Sequence, residues 1–459
     1  MSLPRYPEYK DSGVEWLGEV PAHWEVSTLR RVTVDKCDGP FGSGIKSEHY
    51  TDEGALVVRL QNIRAGRFHY GEPVFLSQSY FESELRGHEV LPGDVLVAGL
   101  GDENNLLGRA CVAPAGLGDA LVKADCFRFR VEPRRVLSSF VAMQLSAGAH
   151  FDAGTLSGGT TRSRIPLSTM QTRRLVLPPL EEQAAIVAFL DREIVKIDAL
   201  VAEQEKLQTL LVEKCQGAIL HAVTKGLNPD TPMRDSGVEW LGKVPAHWTV
   251  SAVGFRYGIQ LGKMLDSAKI TGEHLFPYLR VFDVQWGKIN TYDLPTMDFD
   301  EEARNKFRLL PGDLLANEGG SYPGRSAIWR GDLDECFYQK ALHRVRSHHP
   351  DRDFSLFLFY VMRWAADHGV FVAGGNETTI EHLPAEKLRR YRFAFPPMSE
   401  QAEIVSFLDA ETARLDALTA EATRAIALLK ERRTALISAA VTGKIDARNS
   451  LPPQEACHA

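Results

Sequence analysis

The sequence predicts a mixed α+β protein built from two copies of one arrangement, each a variable domain followed by a long helix. A box opens each half almost unchanged: Asp11 to Trp24 reads DSGVEWLGEVPAHW, and Asp235 to Trp248 reads DSGVEWLGKVPAHW. A second signature follows each variable region, PPLEEQAAIVAFLD from Pro178 and PPMSEQAEIVSFLD from Pro396. Repetition over this distance indicates a duplicated structural unit with an internal pseudo-two-fold relation.

Both variable regions contain short strand-like runs in matching order, separated by glycine-rich turns. The runs are Ala55 to Ile63, Asp94 to Gly101 and Cys126 to Glu132, then Phe276 to Val284, Asp313 to Gly319 and Leu342 to Ser347. An apolar helical stretch follows in each region, at Ser138 to Ser146 and at Phe354 to Ala366. This mixture predicts an α+β domain in each copy. Because the two sequences have diverged, the simplest interpretation is one scaffold with two different surfaces.

Each proline pair introduces a long segment with apolar residues at helical spacing, and a glycine lies at its end in VTKG and VTGK. We expect a helix of about 37 residues, roughly 55 Å long, in each copy. A single amphipathic helix of that length needs a partner, and its repeat is the obvious one. The two helices are therefore predicted to form an antiparallel coiled-coil spacer.

These patterns predict five segments along the chain. They are a first variable domain at 1–178, a first spacer helix at 179–228, a second variable domain at 229–397, a second spacer helix at 398–446 and a C-terminal tail at 447–459.

Net charge, cysteine spacing and the distribution of apolar residues exclude several classes of function. The net charge of −7 argues against a protein that coats polyanions through bulk charge, so any nucleic-acid role must be local. The six cysteines are scattered, with no CxxC and no nearby histidine pair at zinc-ligand spacing, so we predict no metal site. No run of about 20 apolar residues and no secretory signal is present, which predicts a cytoplasmic protein without a membrane segment.

Catalytic motifs are not evident in the chain. Gly39 to Ser47 and Gly258 to Met264 come nearest to a phosphate-binding loop, but the first has Ile45 where glycine must precede lysine, and the second lacks the spacing and the hydroxyl. We find no dinucleotide-binding glycine pattern. The proline pairs lack the preceding Asn or Asp of an amino-methyltransferase. We therefore predict a chain that is not itself an enzyme and has no catalytic residues.

The variable regions carry side chains that suit DNA. Arg, Gln and Asn can read base edges, while Lys, Thr and Tyr commonly hold phosphates. The candidate DNA-binding residues are Lys46, Arg59, Gln61, Asn62, Arg64, Thr160, Thr161, Arg162 and Arg164 in the first region, and Arg280, Gln285, Lys288, Tyr322, Arg325, Asn376, Thr378 and Thr379 in the second.

Two similar domains on a rigid spacer would act as a ruler along a linear polymer. One turn of B-DNA is about 34 Å, so two domains mounted on a spacer of this length could each reach a major groove. Because the two domains differ in sequence, the two half-sites should differ too. The expected target is an asymmetric, bipartite duplex sequence with an unread gap.

The two GVEWLG…PAHW boxes and the two PP(L/M)xEQxxIVxFLD signatures resemble the DNA specificity subunits of type I restriction-modification systems, over almost the whole chain. The resemblance implies that each variable domain is a target-recognition domain for half of a split site, and that the helices also dock methyltransferase subunits. It implies no catalytic activity and no cofactor in this chain. S-adenosylmethionine, ATP and Mg²⁺ would belong to partner subunits.

The partners implied are double-stranded DNA, two methyltransferase subunits and restriction subunits where these exist. The helix-start signature maps onto residues expected to cap and pack helices rather than to catalyse. These are Glu182, Gln183, Ile186, Leu190 and Asp191 in the first copy, and Glu400, Gln401, Ile404, Leu408 and Asp409 in the second.

Two alternatives stay open at this point. The first is an interaction scaffold in which a coiled-coil pair holds two protein-binding domains and no nucleic acid is involved. Salt-dependent duplex binding by the assembled complex would discriminate against it. The second is an enzyme that acts alone, which methylation or nicking of DNA by the purified chain would reveal.

Overall fold

The computed structural model describes residues 4–102, 105–152, 163–264, 271–320, 323–371 and 382–448. The chain divides into two compact units, residues 1–204 with 424–459 and residues 205–423. Each division falls inside a long helix, so each unit combines one variable domain with parts of both long helices.

The first unit contains many short strands and few helices. Its strands are β1 Tyr9–Asp11, β2 Glu19–Pro21, β3 Glu25–Thr28, β4 Thr33–Asp38, β5 Tyr50–Thr51, β6 Ala55–Val58, β7 Ile63–Arg64, β8 Arg67–Phe68, β9 Phe75–Leu76, β10 Val95–Ala98, β11 Leu100–Gly101, β12 Ala110–Val112, β13 Ala120–Val122, β14 Cys126–Val131, β15 Ser163–Arg164 and β16 Arg174–Leu177. Its helices are α1 Gln78–Tyr80, α2 Ser138–Asp152, α3 Leu167–Met170 and the first part of α4 Leu180–Lys225; 3₁₀ turns lie at Leu29–Val32, Gly42–Gly44, Ser47–His49, Leu60–Asn62 and Arg86–His88, and a π-turn at Phe81–Leu85.

Two four-stranded sheets form the body of this unit. One is antiparallel, in the order β12-β10-β14-β4, and the other has the order β13-β6-β9-β5 with β13 and β6 parallel. All four residues of β10 are buried, as expected for an apolar strand covered on both faces. The pair β3–β16 closes the domain where the chain enters and leaves it.

The second unit repeats this plan. Its strands are β17 Met233–Asp235, β18 Lys243–Pro245, β19 Thr249–Ala252, β20 Tyr257–Leu261, β21 Leu275–Leu279, β22 Val284–Gln285, β23 Lys288–Ile289, β24 Thr296–Asp298, β25 Leu314–Asn317, β26 Ser326–Ile328, β27 Phe337–Tyr338, β28 Leu342–Ser347 and β29 Arg392–Phe395. Its helices are α5 Val253–Arg256, α6 Glu301–Phe307, α7 Ser355–Asp367, α8 Ala385–Arg390 and the first part of α9 Met398–Val441, with a 3₁₀ turn at Val281–Asp283. The sheet β20-β28-β25-β26 corresponds to β4-β14-β10-β12, and β19–β29 corresponds to β3–β16.

Most predicted strands and both predicted domain helices are confirmed, but two strand predictions are too long. In the runs predicted over 55–63 and 276–284, the strands end at Val58 and Leu279, and 3₁₀ turns begin at Leu60 and Val281. The reason is local, because a polar side chain in each turn binds the backbone N–H three residues earlier and pulls the chain into a bend.

The long helices exceed the predicted 37 residues, since α4 has 46 residues and α9 has 44. At 1.5 Å per residue α4 is about 69 Å long. It begins directly after its proline pair, and Glu181 and Glu182 in the first turn suit the positive end of the helix dipole. Gly217 lies inside α4 without ending it.

The two long helices run antiparallel within each unit, as predicted. In the first unit Arg433 Nε lies 3.4 Å from Asp198 Oδ1. In the second, Gln208 Nε2 donates to Thr423 Oγ1 at 2.7 Å. Lys214 Nζ, further along α4, lies 3.9 Å from the carboxylate of Glu411, which is earlier along α9. Rising residue numbers on one helix therefore meet falling numbers on the other.

The sequence did not indicate that each unit needs the far end of the other copy's helix. In the first unit Ala440 and Val441, at the end of α9, share a buried cluster with Trp24 and Phe140. The amide of Gln144 also donates to the Val441 carbonyl at 2.8 Å. The end of α4 has the same role in the second unit, where Ile219 and Val223 join the main core.

We expect Gly443→Ala to destabilise the first unit by about 2 kcal/mol, because an L-residue must there adopt a left-handed backbone. Gly443 has φ +75°, and an added Cβ would lie 2.3 Å from Pro21 Cδ. Urea unfolding measures the change. Gly217→Ala is the control, since that exposed helical glycine has open space around it and the substitution should stabilise by about 0.5–1 kcal/mol. Equal shifts in the same direction would contradict this account.

Candidate nucleic-acid interface

The helix-start signature joins the repeated box to the first long helix. Glu182, 6% exposed, accepts a hydrogen bond from Trp24 Nε1 at 3.0 Å and lies 2.9 Å from His23 Nε2. Gln183 is fully buried, and its Oε1 accepts the backbone N–H of Leu137 at 2.8 Å. The signature therefore holds both the box and the start of α2.

The second copy repeats these contacts. Glu400 accepts from Trp248 Nε1 at 3.0 Å and lies 2.7 Å from His247 Nε2, while Gln401 Oε1 accepts from the backbone N–H of Phe354 at 2.9 Å. The apolar members of both signatures are buried at 0% exposure: Ile186, Leu190, Ile404 and Leu408. Apart from Asp191, the predicted signature residues of both copies make intrachain hydrogen bonds or are buried, as expected for positions that cap and pack helices.

A turn and a hairpin carry several of the candidate DNA-binding residues in the first unit. The turn at Leu60–Asn62 follows Arg59 and leads into the β7–β8 hairpin. Asn62 shapes it, because its Oδ1 accepts from the Arg59 backbone N–H at 2.8 Å and its Nδ2 donates to the His69 carbonyl at 2.8 Å. With 4% exposure, Asn62 supports the turn and offers no group for reading a base.

Sequence reasoning missed the residue that anchors this hairpin. Arg109 is 6% exposed and donates to the backbone carbonyls of Ile63 at 2.7 Å, Leu60 at 2.9 Å and Leu100 at 3.1 Å. Burial lowers the pKa of its guanidinium. Residue type alone does not distinguish this arginine from an exposed one, since all five of its hydrogen-bond acceptors are backbone carbonyls, and two of them belong to the distant turn and hairpin.

The second unit builds the same turn with a charged residue. Asp283 is fully buried and accepts from the backbone N–H of Arg280 at 2.8 Å, and from its guanidinium at 2.8 and 3.0 Å. These hydrogen bonds raise the pKa of Arg280. The guanidinium lies 3.9 Å from the ring centroid of Phe282, which is 61% exposed. Arg280 is thereby fixed beside an exposed aromatic ring.

The side chains exposed around each hairpin differ between the units. In the first, Gln61 and Arg64 are exposed, and Arg64 donates to the side-chain carbonyl of Asn105. In the second, Gln285 and Lys288 are exposed. There the hairpin residue is the acceptor and not the donor, because the guanidinium of Arg325 donates to Gln285 Oε1 at 2.6 Å.

Two further candidates lie on other parts of the first unit. Arg164 pairs with Asp125 at 2.7 Å, and its guanidinium carbon is 5.2 Å from the ring centroid of Phe41. Burial raises the pKa of the nearby Asp38 to about 6. Lys46 is exposed, with its ammonium 3.7 Å from a carboxylate oxygen of Glu48.

The other candidates lie outside the described residues: Thr160, Thr161, Arg162, Tyr322, Asn376, Thr378 and Thr379. The described residues that adjoin two of these segments pair with the loop that follows the central strand of each unit. Strand β15 pairs with β11, and His382 bridges to Gly319. Both units therefore bring this part of the chain to the loop that follows their central strand.

Within the described ranges no group of three or more His, Cys, Asp and Glu residues could hold a metal ion. The same residues include no helix with the length and apolarity needed to cross a bilayer.

Comparisons with known proteins agree with the resemblance drawn from the sequence. The chain is 20% identical over 446 residues to the type I restriction enzyme EcoKI specificity subunit of Escherichia coli K12, covering 94% of this chain and 91% of that one. It is also 20% identical to the StySPI specificity subunit of Salmonella potsdam, over 94% of this chain and 91% of the relative. No family profile matches the chain.

Solved structures show the same fold. A chain from a structure described as the structural basis of complex assembly and conformational transition of the type I R-M system has a TM-score of 0.70 and 18% identity, covering 92% of this chain and 98% of that one. The HsdS subunit from Thermoanaerobacter tengcongensis has a TM-score of 0.54 and 18% identity, over 94% and 98%. The predicted mixed α+β architecture with two long helices is confirmed, and the relatives are named specificity subunits rather than catalytic chains.

Proposed function

We propose that this chain is the DNA-specificity subunit of a type I restriction-modification complex and reads a bipartite, asymmetric duplex target. One observation carries the proposal: the two hairpin sites share their buried residues in kind and differ in their exposed ones. Asn62 and Asp283 make the same backbone hydrogen bond at 2.8 Å, while Arg64 in one copy stands where Gln285 stands in the other.

Different exposed side chains above a shared turn are what two readers of different sequences require. The buried turn residues keep each hairpin in place, and the exposed side chains present different hydrogen-bonding groups. Arginine suits the two acceptors of guanine and glutamine suits adenine in the major groove. The exposed candidates of the first unit would therefore contact one half-site and those of the second unit the other.

The long helices are proposed to dock two methyltransferase subunits, and restriction subunits where these are present. Exposed apolar side chains on the helices support this, because such groups gain free energy when a partner covers them. In the first unit they include Val195 at 68% and Leu428 at 59% exposure, and in the second Val212 at 52% and Phe407 at 43%. We propose that S-adenosylmethionine, ATP and Mg²⁺ bind to those partner subunits and not to this chain.

The proposed function is tested by expressing the chain with its neighbouring methyltransferase subunit and mapping methylated bases across the genome. Cells that lack this chain are the control. We expect a split, asymmetric methylated motif that disappears in the control. Unchanged methylation despite confirmed complex formation would overturn the proposal and favour the scaffold alternative.

Single substitutions at the hairpins should act on one half-site each. We expect Arg64→Ala to weaken specific binding by about 1–3 kcal/mol and to relax base preference within one half of the motif. Gln285→Ala is the matched variant and should relax the other half. Binding to duplexes changed at one base at a time measures both. Loss of preference in the same half for both variants would contradict the assignment of one hairpin to each half-site.

A further inference from the structure

A groove lined by arginines lies beside the β3–β16 pair of the first unit, apart from the residues discussed so far. Arg30, Arg31 and Arg174 line it, and all three are exposed. Arg30 and Arg31 belong to the 3₁₀ turn after β3, and Arg174 begins β16. The antiparallel pairing of β3 with β16 brings these distant parts of the sequence together, with Arg174 opposite Thr28.

The second unit has a groove at the equivalent place, beside β19–β29. Arg389, Arg390 and Arg392 line it and are exposed. Phe255, 84% exposed, lies on the same groove. Arg392 begins β29 as Arg174 begins β16, so one arginine occupies the same position in both units.

Five of these six arginines have no side-chain partner among the described residues: Arg30, Arg31, Arg174, Arg390 and Arg392. Arg389 is the exception, since it donates to the Ile259 carbonyl at 2.6 Å and lies 3.9 Å from a carboxylate oxygen of Glu386. The chain has 60 acidic residues against 53 lysines and arginines. The chain as a whole is acidic, so two grooves lined mainly by unpaired arginines are a local concentration of positive charge.

The two grooves obtain their positive charge from different elements. Only Arg174 and Arg392 correspond between the copies. The first unit takes its other cations from the turn after β3, whereas the second takes them from the end of α8. Packing would conserve particular side chains at particular places. Here the positive charge is kept while its source has changed, which is expected when the ligand is an anion.

We propose that each groove binds the phosphate backbone of duplex DNA and holds the domain on the target while other residues read bases. This inference rests on the proposed function. A guanidinium offers two parallel donors to phosphate oxygens, and phosphate contacts fix register and orientation without carrying sequence information. A duplex presents the same anion on both half-sites, which accounts for one groove in each unit.

The test compares Arg174→Gln with Arg392→Gln, combined in one chain, in the assembled complex with the methyltransferase subunit. The logarithm of the binding constant is measured against the logarithm of salt concentration. Each lost phosphate contact lowers the slope by about 0.9, so we expect a decrease of about 1.8 for the pair. Specific and random duplexes should weaken by the same factor, and the methylated motif should stay unchanged.

The control is Lys10→Gln with Lys243→Gln, which also removes one exposed cation per unit, from strand β1 of the first box hairpin and strand β18 of the second. Its slope should equal that of the unmodified complex. Unfolding curves check that both variants are folded. An unchanged slope in the arginine variant, or a loss equal to that of the lysine control, would overturn the proposal.

Two other outcomes separate this inference from its alternatives. If the arginine variant fails to copurify with the methyltransferase subunit while duplex binding keeps its salt slope, the grooves bind an acidic protein surface, and the proposal is wrong. If the unmodified complex shows no sequence preference at all, the proposed function itself fails. A normal motif with an unchanged slope rejects only the phosphate-binding grooves.

Discussion

Replacing residues 25–177 with residues 249–395 of the same chain should give a complex that methylates a target containing the second half-site twice. The exchange is clean because both segments begin and end at neighbouring points. Glu25 lies opposite Leu177 in the β3–β16 register, and Thr249 lies opposite Phe395 in β19–β29. The chain is therefore cut only where a strand pair closes each domain.

The chain's own second domain is the best donor because its contacts to the scaffold match those it must replace. Phe140 packs edge-on against Trp24 with centroids 6.5 Å apart, and Phe357 packs in the same way against Trp248 at 6.3 Å. The backbone N–H groups of Leu137 and Phe354 likewise bind equivalent glutamines at 2.8 and 2.9 Å. The second domain, placed at residues 25–177, would therefore contact a tryptophan and a glutamine equivalent to those it contacts in its own unit.

Genome-wide methylation mapping measures the result of this exchange. A hybrid carrying an unrelated variable domain at residues 25–177 is the companion experiment and should alter the first half-site alone. Persistence of the original first half-site, or a change in both halves, would show that base reading is not divided between the two variable domains.

The repeated scaffold could be predicted from sequence because its information is local or duplicated. Apolar spacing predicts α4 and α9, and the paired boxes predict two units. The function of Glu182 could not be derived in the same way, because its partner Trp24 becomes adjacent only through the fold. One cue was present: the glutamate and the tryptophan are both repeated, at Glu400 and Trp248, in two signatures that otherwise have no evident link.

The recognition surface was less predictable for physical reasons. Residue type suggested that Asn62 reads DNA, yet its amide is needed to satisfy backbone groups inside the turn. Conversely, the sequence did not mark Arg109 as a structural residue, although it donates hydrogen bonds to backbone carbonyls of the turn and the hairpin. The arginine grooves combine Arg30 with Arg174, which no sequence window contains. Local composition cannot show which polar side chains are already hydrogen-bonded within the folded chain and which remain available to a ligand.

Glu182→Ala is expected to destabilise the first unit by about 3 kcal/mol, because a buried carboxylate that accepts charge-assisted hydrogen bonds is lost and the indole N–H of Trp24 remains buried without a partner. Glu182 is 6% exposed and lies 3.0 Å from that nitrogen. Urea unfolding followed by tryptophan fluorescence measures the effect directly, since Trp24 is itself buried. Glu182→Gln should lose less, as its amide oxygen can still accept one hydrogen bond.

The neighbouring Glu181→Ala provides a matched control. Both glutamates lie in the first turn of α4 and interact with the helix dipole, but Glu181 is exposed. Its loss should cost at most about 1 kcal/mol, the usual value of a carboxylate at a helix start. Glu400→Ala should fall between the two, at about 1.5 kcal/mol, because the side chain of Glu400 is 26% exposed and water can partly replace it. If Glu181→Ala and Glu182→Ala destabilised the chain equally, the glutamate would act through the helix dipole alone, and the hydrogen bonds to the box would not be what joins the repeat to its helix.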